Sequence, residues 1–168
     1  MTKEVFWINE ELLGKQIVGT MSCPLGGEDL ERQIKSLKEQ GVDFIVSLMQ
    51  EEEQSSLGLG DEAMICEKLG IGFLHFPIQD YGTPEFIDDF IFLVKNLTEK
   101  IKEQKKIVLH CQAGIGRASV LAASIMIHVG FNPDHVFEII SKHRKRNVPD
   151  RKTQIDFVMS IKDRLKES

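Results

Sequence analysis

Residues Ile107 to Arg117, IVLHCQAGIGR, constrain the fold more than any other stretch of the chain. An apolar run feeds a His110–Cys111 pair, Gly114 and Gly116 loosen the backbone, and Arg117 closes the loop. Ala118 to Val129 is then rich in small and apolar residues and reads as a helix. A strand, a tight loop and a helix in direct succession belong to α/β folds, where the loop at a strand's carboxyl end faces the ligand. The same loop gathers a thiol, several backbone N–H groups and a guanidinium around one point.

The rest of the chain repeats the alternation. Val5–Ile8 and Gln16–Thr20 read as short strands around a turn at Gly14. Asp29 to Gln40 carries Leu30, Ile34 and Leu37 at helical spacing, and Gly41 sits at the C′ position. Asp43–Met49 is a buried-type strand, Glu51 to Gly60 a polar loop, Glu62 to Leu69 a short helix, and Phe73–Ile78 another strand. Pro84 is expected at the N1 position of a long helix with an apolar stripe of Phe86, Phe90, Leu93, Val94, Leu97 and Ile101. Lys106–His110 is the strand before the central loop, and helices follow at Ala118–Val129, Pro133–Lys142 and Thr153–Leu165. Continuous apolar strands imply a sheet covered on both faces. The expectation is an α/β fold with a central, largely parallel sheet flanked by helices, in one domain spanning residues 1–168.

Composition narrows the chemistry. A net charge of −5 gives no global basic footprint for nucleic acid. Three cysteines, Cys23, Cys66 and Cys111, form no C-x-x-C pair, which suits a reducing compartment and neither a disulfide framework nor a zinc site. No signal peptide, membrane-length apolar run or lipidation cysteine is visible. A cytoplasmic, monomeric or weakly associating protein without stable membrane anchoring is expected.

Within the loop, nucleophilic attack requires a thiolate, and a helix N-terminus with inward N–H groups and an arginine favours that form. The backbone of Gln112, Ala113, Gly114, Ile115 and Gly116 can curl into an anion nest. Arg117 can grip two phosphate oxygens, which a lysine could not. His110 is expected to hydrogen-bond backbone near Cys111 rather than act as a base. The alternative is a buried cysteine with a chance arginine beside a glycine turn.

The residues His110 to Arg117 resemble the signature of the cysteine-dependent protein tyrosine and dual-specificity phosphatases, and the general organisation is similar from about Val42 to Phe157. The chain's small size resembles the compact dual-specificity branch. The resemblance implies a phosphocysteine intermediate on Cys111, a dual-specificity-phosphatase-like fold, and no metal or cofactor. It also implies a general acid on a strand-end loop, and Phe76 to Gly82 supplies Asp80. An Asx-turn role for Asp80 is the alternative; Glu85, Asp88 and Asp89 are rivals placed on the following helix. A rhodanese-like sulfur-transfer loop shares the strand–Cys–loop–helix layout but needs no such acid. Tyr81, the only tyrosine, is either a stacking surface for an aromatic substrate or a local packing anchor. Gln154 matches the glutamine that the family uses to orient the hydrolytic water, or is an ordinary exposed helix residue.

One position departs from the family pattern. Ala118 stands where most members carry Ser or Thr, whose hydroxyl helps the cysteine thiolate leave. The phosphatases of regenerating liver also have alanine there, but with a prenylation signal that this chain lacks. Slow breakdown of the phosphocysteine is therefore expected. Gln112 and Ile115 are not the lysines found in polyphosphoinositide-directed relatives, which argues for a singly phosphorylated target; the resemblance implies a phosphorylated protein or peptide as the partner. The basic cluster Lys142 to Arg146, with Arg151 and Lys152, reads as a solvent-facing helix end or as an electropositive rim. The alternatives are a phosphoinositide phosphatase and a binding module that holds phosphorylated partners and barely turns over.

Overall fold

The computed structural model describes residues 2–167; both termini of the expected 1–168 domain, Met1 and Ser168, lie outside the described residues. Five strands run β1 (Phe6–Trp7), β2 (Val18–Met21), β3 (Phe44–Ser47), β4 (Gly72–His75) and β5 (Ile107–His110). They form one sheet in the order β1-β2-β5-β3-β4. Only β1 is antiparallel; β2, β5, β3 and β4 are parallel, with β5 between β2 and β3. The helices are α1 (Leu30–Glu39), α2 (Glu51–Ser56), α3 (Glu62–Leu69), α4 (Ile87–Lys102), α5 (Arg117–Val129), α6 (Val136–Arg144) and α7 (Lys152–Leu165). No helix among the described residues is long and apolar enough to cross a membrane.

Strand alternation feeds two cores. Val46, Ile107 and Leu109 face the larger one, with residues of α4, α5, α6 and α7. Ile45 and Val108 face the smaller one, with Leu30, Ile34 and Leu37 of α1 and Ile65 and Cys66 of α3. Both faces of the sheet are thus covered, the reason its strands lack polar alternation. Helix α5 is buried continuously from Arg117 to Ile127, so the helix that follows the central loop is itself core. Helix α1 ends as its sequence expects. Gly41 is left-handed at φ +87°, Gly41 N–H donates to Lys38 O at 2.9 Å, and Val42 N–H donates to Leu37 O at 3.1 Å, a Schellman closure.

Four expectations are corrected. Glu51 to Ser56 is helix α2, not loop; its start is closed by a reciprocal box in which Gln50 and Glu53 satisfy one another's ends. Pro84 is not N1, because α4 begins at Ile87 with Phe86 as its N-cap. Phe86 consequently leaves the apolar stripe and is 63% exposed. Helix α6 begins at Val136 rather than Pro133, residues 133–135 forming a turn.

Candidate active site

The carboxyl ends of β3, β4 and β5 point to the same rim of the sheet, and the segments after them meet there. A cleft of about 210 Å³ is lined by Asp80, Tyr81, Cys111, Gln112, Ala113, Ile115, Gly116, Arg117, Asp150 and Gln154. Nine of these were candidates from the sequence; Asp150 was not. A larger open groove of about 980 Å³ lies elsewhere, between Leu12–Gly14 and the carboxyl half of α4, and contains none of the candidates.

Cys111 is 2% exposed, and its sulfur accepts a hydrogen bond from Gly114 N–H at 3.3 Å. Gly114 is required on two counts. Its φ is +71°, and a Cβ there would lie 2.5 Å from the Met21 carbonyl carbon of the neighbouring strand. The loop is fixed against that strand by Cys23 N–H donating to Gln112 O at 3.0 Å. Cys23 and Cys66 are free and buried. Burial, with the Glu62 charge added, pushes the Cys66 thiol up to about 12; burial also raises that of Cys23. Neither is poised as a nucleophile.

His110 is fully buried, on the sheet face turned toward α3. Its Nε2 lies 2.7 Å from Glu62 Oε2, a carboxylate that is itself 1% exposed, and its Nδ1 lies 3.4 Å from Cys111 O. The expected backbone contact is the longer of the two, and Glu62 is the principal partner. A glutamate in a short helix gave no sign of this, except that it shares a face with Ile65 and Cys66.

Arg117 is 2% exposed and almost saturated. Glu53 of α2 meets it as a two-oxygen fork, Nη1–Oε2 and Nη2–Oε1 both at 2.8 Å. Nη1 also donates to Ile78 O at 2.9 Å and Leu48 O at 3.4 Å, and Nη2 donates to Asp80 Oδ1 at 3.0 Å. Every terminal N–H is engaged, which leaves Nε–H without a partner among the described residues. Arg117 is the expected phosphate clamp; in this structure the candidate acid Asp80 occupies one of its prongs. Burial works against the guanidinium's charge, yet the hydrogen bonds of Glu53, with the charges of Cys111, Glu53 and Asp80, hold its pKa above the ordinary value.

Glu53 shows the complementary balance. Burial favours its neutral form, but Arg117 and the Gln50 backbone N–H hold it below the usual carboxylate range. A depressed folded-state pKa gives stability that is present above the unfolded value of about 4.3 and lost as pH falls through the folded value. Thermal midpoints of the protein and Glu53→Gln, taken from pH 6 to pH 3, should therefore converge on acidification. A gap that stays constant over that range would contradict the pairing.

The Asp80 loop is held from several sides. Phe76 packs on Phe90 at 5.9 Å between ring centroids, and Phe90 on Phe157 of α7 at 5.8 Å. Asp80 Oδ1 also accepts Tyr81 N–H at 3.0 Å. Tyr81 itself is 55% exposed, with the Arg151 guanidinium 4.4 Å from its ring centre. Gln154 is fully buried, which excludes the ordinary exposed role; its Nε2 donates to Gly82 O at 3.2 Å while Oε1 is buried with no partner among the described residues. Ala118 is fully buried, and Ser119 Oγ is buried with no hydrogen-bond partner among the described residues.

The sequence model of a family described as "Polymorphic toxin system, DSP-PTPase phosphatase" matches residues 19–131. Cyclin-dependent kinase inhibitor 3 of Homo sapiens is 23% identical over 139 residues, covering 82% of this chain and 65% of the relative. A probable protein tyrosine phosphatase type IVA A of Dictyostelium discoideum is 33% identical over 106 residues, 61% of each chain. The chain thus spans less than two thirds of the length of these curated relatives. Among solved structures, kinase associated phosphatase with its catalytic-site cysteine changed to serine superposes with a TM-score of 0.89 at 20% identity, covering 100% of this chain and 98% of that one. PTPMT1 in complex with PI(5)P gives 0.75 at 18% identity, covering 95% and 94%. The fold is that of these phosphatases, and the chain belongs to the cysteine-based DSP-PTPase phosphatase family.

Proposed function

We propose that the protein hydrolyses phosphate monoesters through a phosphocysteine, acting on phosphotyrosine and also phosphoserine or phosphothreonine in proteins, as a single-domain, monomeric, cytoplasmic enzyme. The observation that carries this reading is the meeting of the Cys111 thiol and the Arg117 guanidinium on one loop, in a cleft shared with Asp80 and Gln154. Cys111 attacks phosphorus as the thiolate. The N–H groups from Gln112 to Arg117 and the Arg117 guanidinium hold the three non-bridging oxygens, whose charge persists through the transition state. Asp80 protonates the leaving oxygen and then takes a proton from the attacking water. The unpartnered Oε1 of Gln154 accepts from that water. Tyr81 flanks the substrate's ester group.

The Asp80–Arg117 contact fits this cycle as a switch. An entering phosphate dianion competes for the Nη2 prong and displaces Asp80, which, freed from the guanidinium and beside the dianion, takes up a proton from solvent and turns toward the leaving oxygen as the acid. Ala118 gives the departing sulfur no hydroxyl, and the Ser119 hydroxyl makes no hydrogen bond to it, so the second step is slow. The absence of lysine at Gln112 and Ile115 favours a singly phosphorylated target over a polyphosphoinositide.

Release of inorganic phosphate from an aryl phosphate, phosphotyrosyl and phosphothreonyl peptides, and a phosphoinositide, with a chelator present, tests the reading. Asp80→Asn should lower turnover by about 10²–10³-fold on substrates with poor leaving groups while tightening inhibition by inorganic phosphate. No phosphate release from any of the four substrates, or weaker inhibition in Asp80→Asn, would count against it.

A further inference from the structure

We infer that Arg144 is a positioning residue that aims the phosphate-binding N–H groups from behind the loop; this rests on the proposed role of that loop. The carboxyl end of α6 brings Arg144 to its outer side. Arg144 Nη2 donates to Ala113 O at 3.2 Å, and Nε donates to Gly114 O at 3.3 Å. The guanidinium carbon lies 4.1 Å from the centre of the Phe6 ring on β1, so the side chain is held from the far side as well. Arg144 is half-buried.

Peptide geometry transmits this grip. In a planar trans peptide the carbonyl of one residue and the N–H of the next point in opposite directions. Holding Ala113 O outward turns Gly114 N–H inward, and that N–H is the one that meets the Cys111 sulfur. Holding Gly114 O outward turns Ile115 N–H inward in the same way. One planar side chain therefore sets two adjacent peptide planes of the anion nest. The loop needs such an external fix because Gly114 and Gly116 leave its backbone few restraints of its own. A solvent-facing helix end, one of the two readings of the basic cluster, does not describe Arg144.

A charge-only account makes a different prediction. Arg146 carries the same charge two residues away and donates no side-chain hydrogen bond to the loop among the described residues. Calorimetric titration with inorganic phosphate separates the two. Arg144→Met should weaken phosphate binding by about 10-fold or more, the equivalent of losing charge-assisted hydrogen bonds, with Arg144→Lys intermediate and Arg146→Met close to the parent. In steady-state assays Arg144→Met should lower kcat and kcat/KM together, since misaimed N–H groups are missed most in the transition state. Thermal midpoints measured alongside should stay within a few degrees of the parent. Equal losses in Arg144→Met and Arg146→Met would overturn the bracing role in favour of simple charge. Unchanged phosphate binding in Arg144→Met would overturn it outright. Failure of the parent protein to bind phosphate would instead remove the functional reading on which it rests.

Discussion

Replacing Cys111 with serine is expected to lower phosphate-ester hydrolysis by at least about 10⁴-fold while leaving the fold and phosphate binding intact. A serine hydroxyl attacks only if a base removes its proton, and neither His110 nor Asp80 is placed for that task. His110 is turned into the core and held by Glu62 at 2.7 Å. Asp80 is paired with Arg117, and the proposed cycle uses it as the acid of the first step. The serine oxygen would inherit the Gly114 N–H that the sulfur now accepts, so the loop should keep its shape. Steady-state release of phosphate, with the thermal midpoint of both proteins as control, checks this. Activity in Cys111→Ser within an order of magnitude of the parent would assign the chemistry to another group.

Arg117→Lys should cost about 10³-fold in kcat/KM and also destabilise the fold, by about 2 kcal/mol. The two effects share a cause. The guanidinium serves Glu53 with both nitrogens and Ile78 O with one, and still faces the cleft. An ammonium is a single point and cannot meet Glu53, Ile78 O and a phosphate together. Glu53, 15% exposed, would be left partly buried without its fork. Denaturant unfolding of Arg117→Lys, Glu53→Gln and the double variant should show strong non-additivity, because both single changes break one interaction. Additive losses would mean that Glu53 does not hold the arginine.

Contiguity in the chain separates what was legible from what was not. Cys111, the loop glycines and Arg117 are neighbours in sequence, so their joint geometry follows from a strand, a tight turn and a helix start. Asp80 was singled out because the family resemblance implies an acid on a strand-end loop, and that strand end brings it to the same rim. Helix α2 was not: six residues rich in Glu and Ser have no apolar stripe, and only the spacing of Gln50 and Glu53 betrays its start. The partner of Arg117 was therefore missed. Glu62 was missed because a buried carboxylate looks like a surface one until its histidine is found 48 residues away. Arg144 sits in a run of basic residues that sequence pattern treats alike, whereas only its side chain reaches Ala113 O and Gly114 O. Pro84 misled in the other direction: a favourable N1 residue was present, but the helix starts at Ile87.

The central claim is that Cys111 carries the phosphoryl group and that Ala118 makes its release slow. Rapid-quench measurement of the first turnover on an aryl phosphate tests both parts. The account predicts a burst of released phenol stoichiometric with enzyme, a phosphorylated Cys111 in the quenched protein, and a slow steady state. Ala118→Ser should raise that steady state by about 10- to 100-fold, the value of one hydrogen bond to a charged leaving group, and suppress the burst. Linear release from the first turnover, with no phosphate on Cys111 and no response to Ala118→Ser, would contradict it.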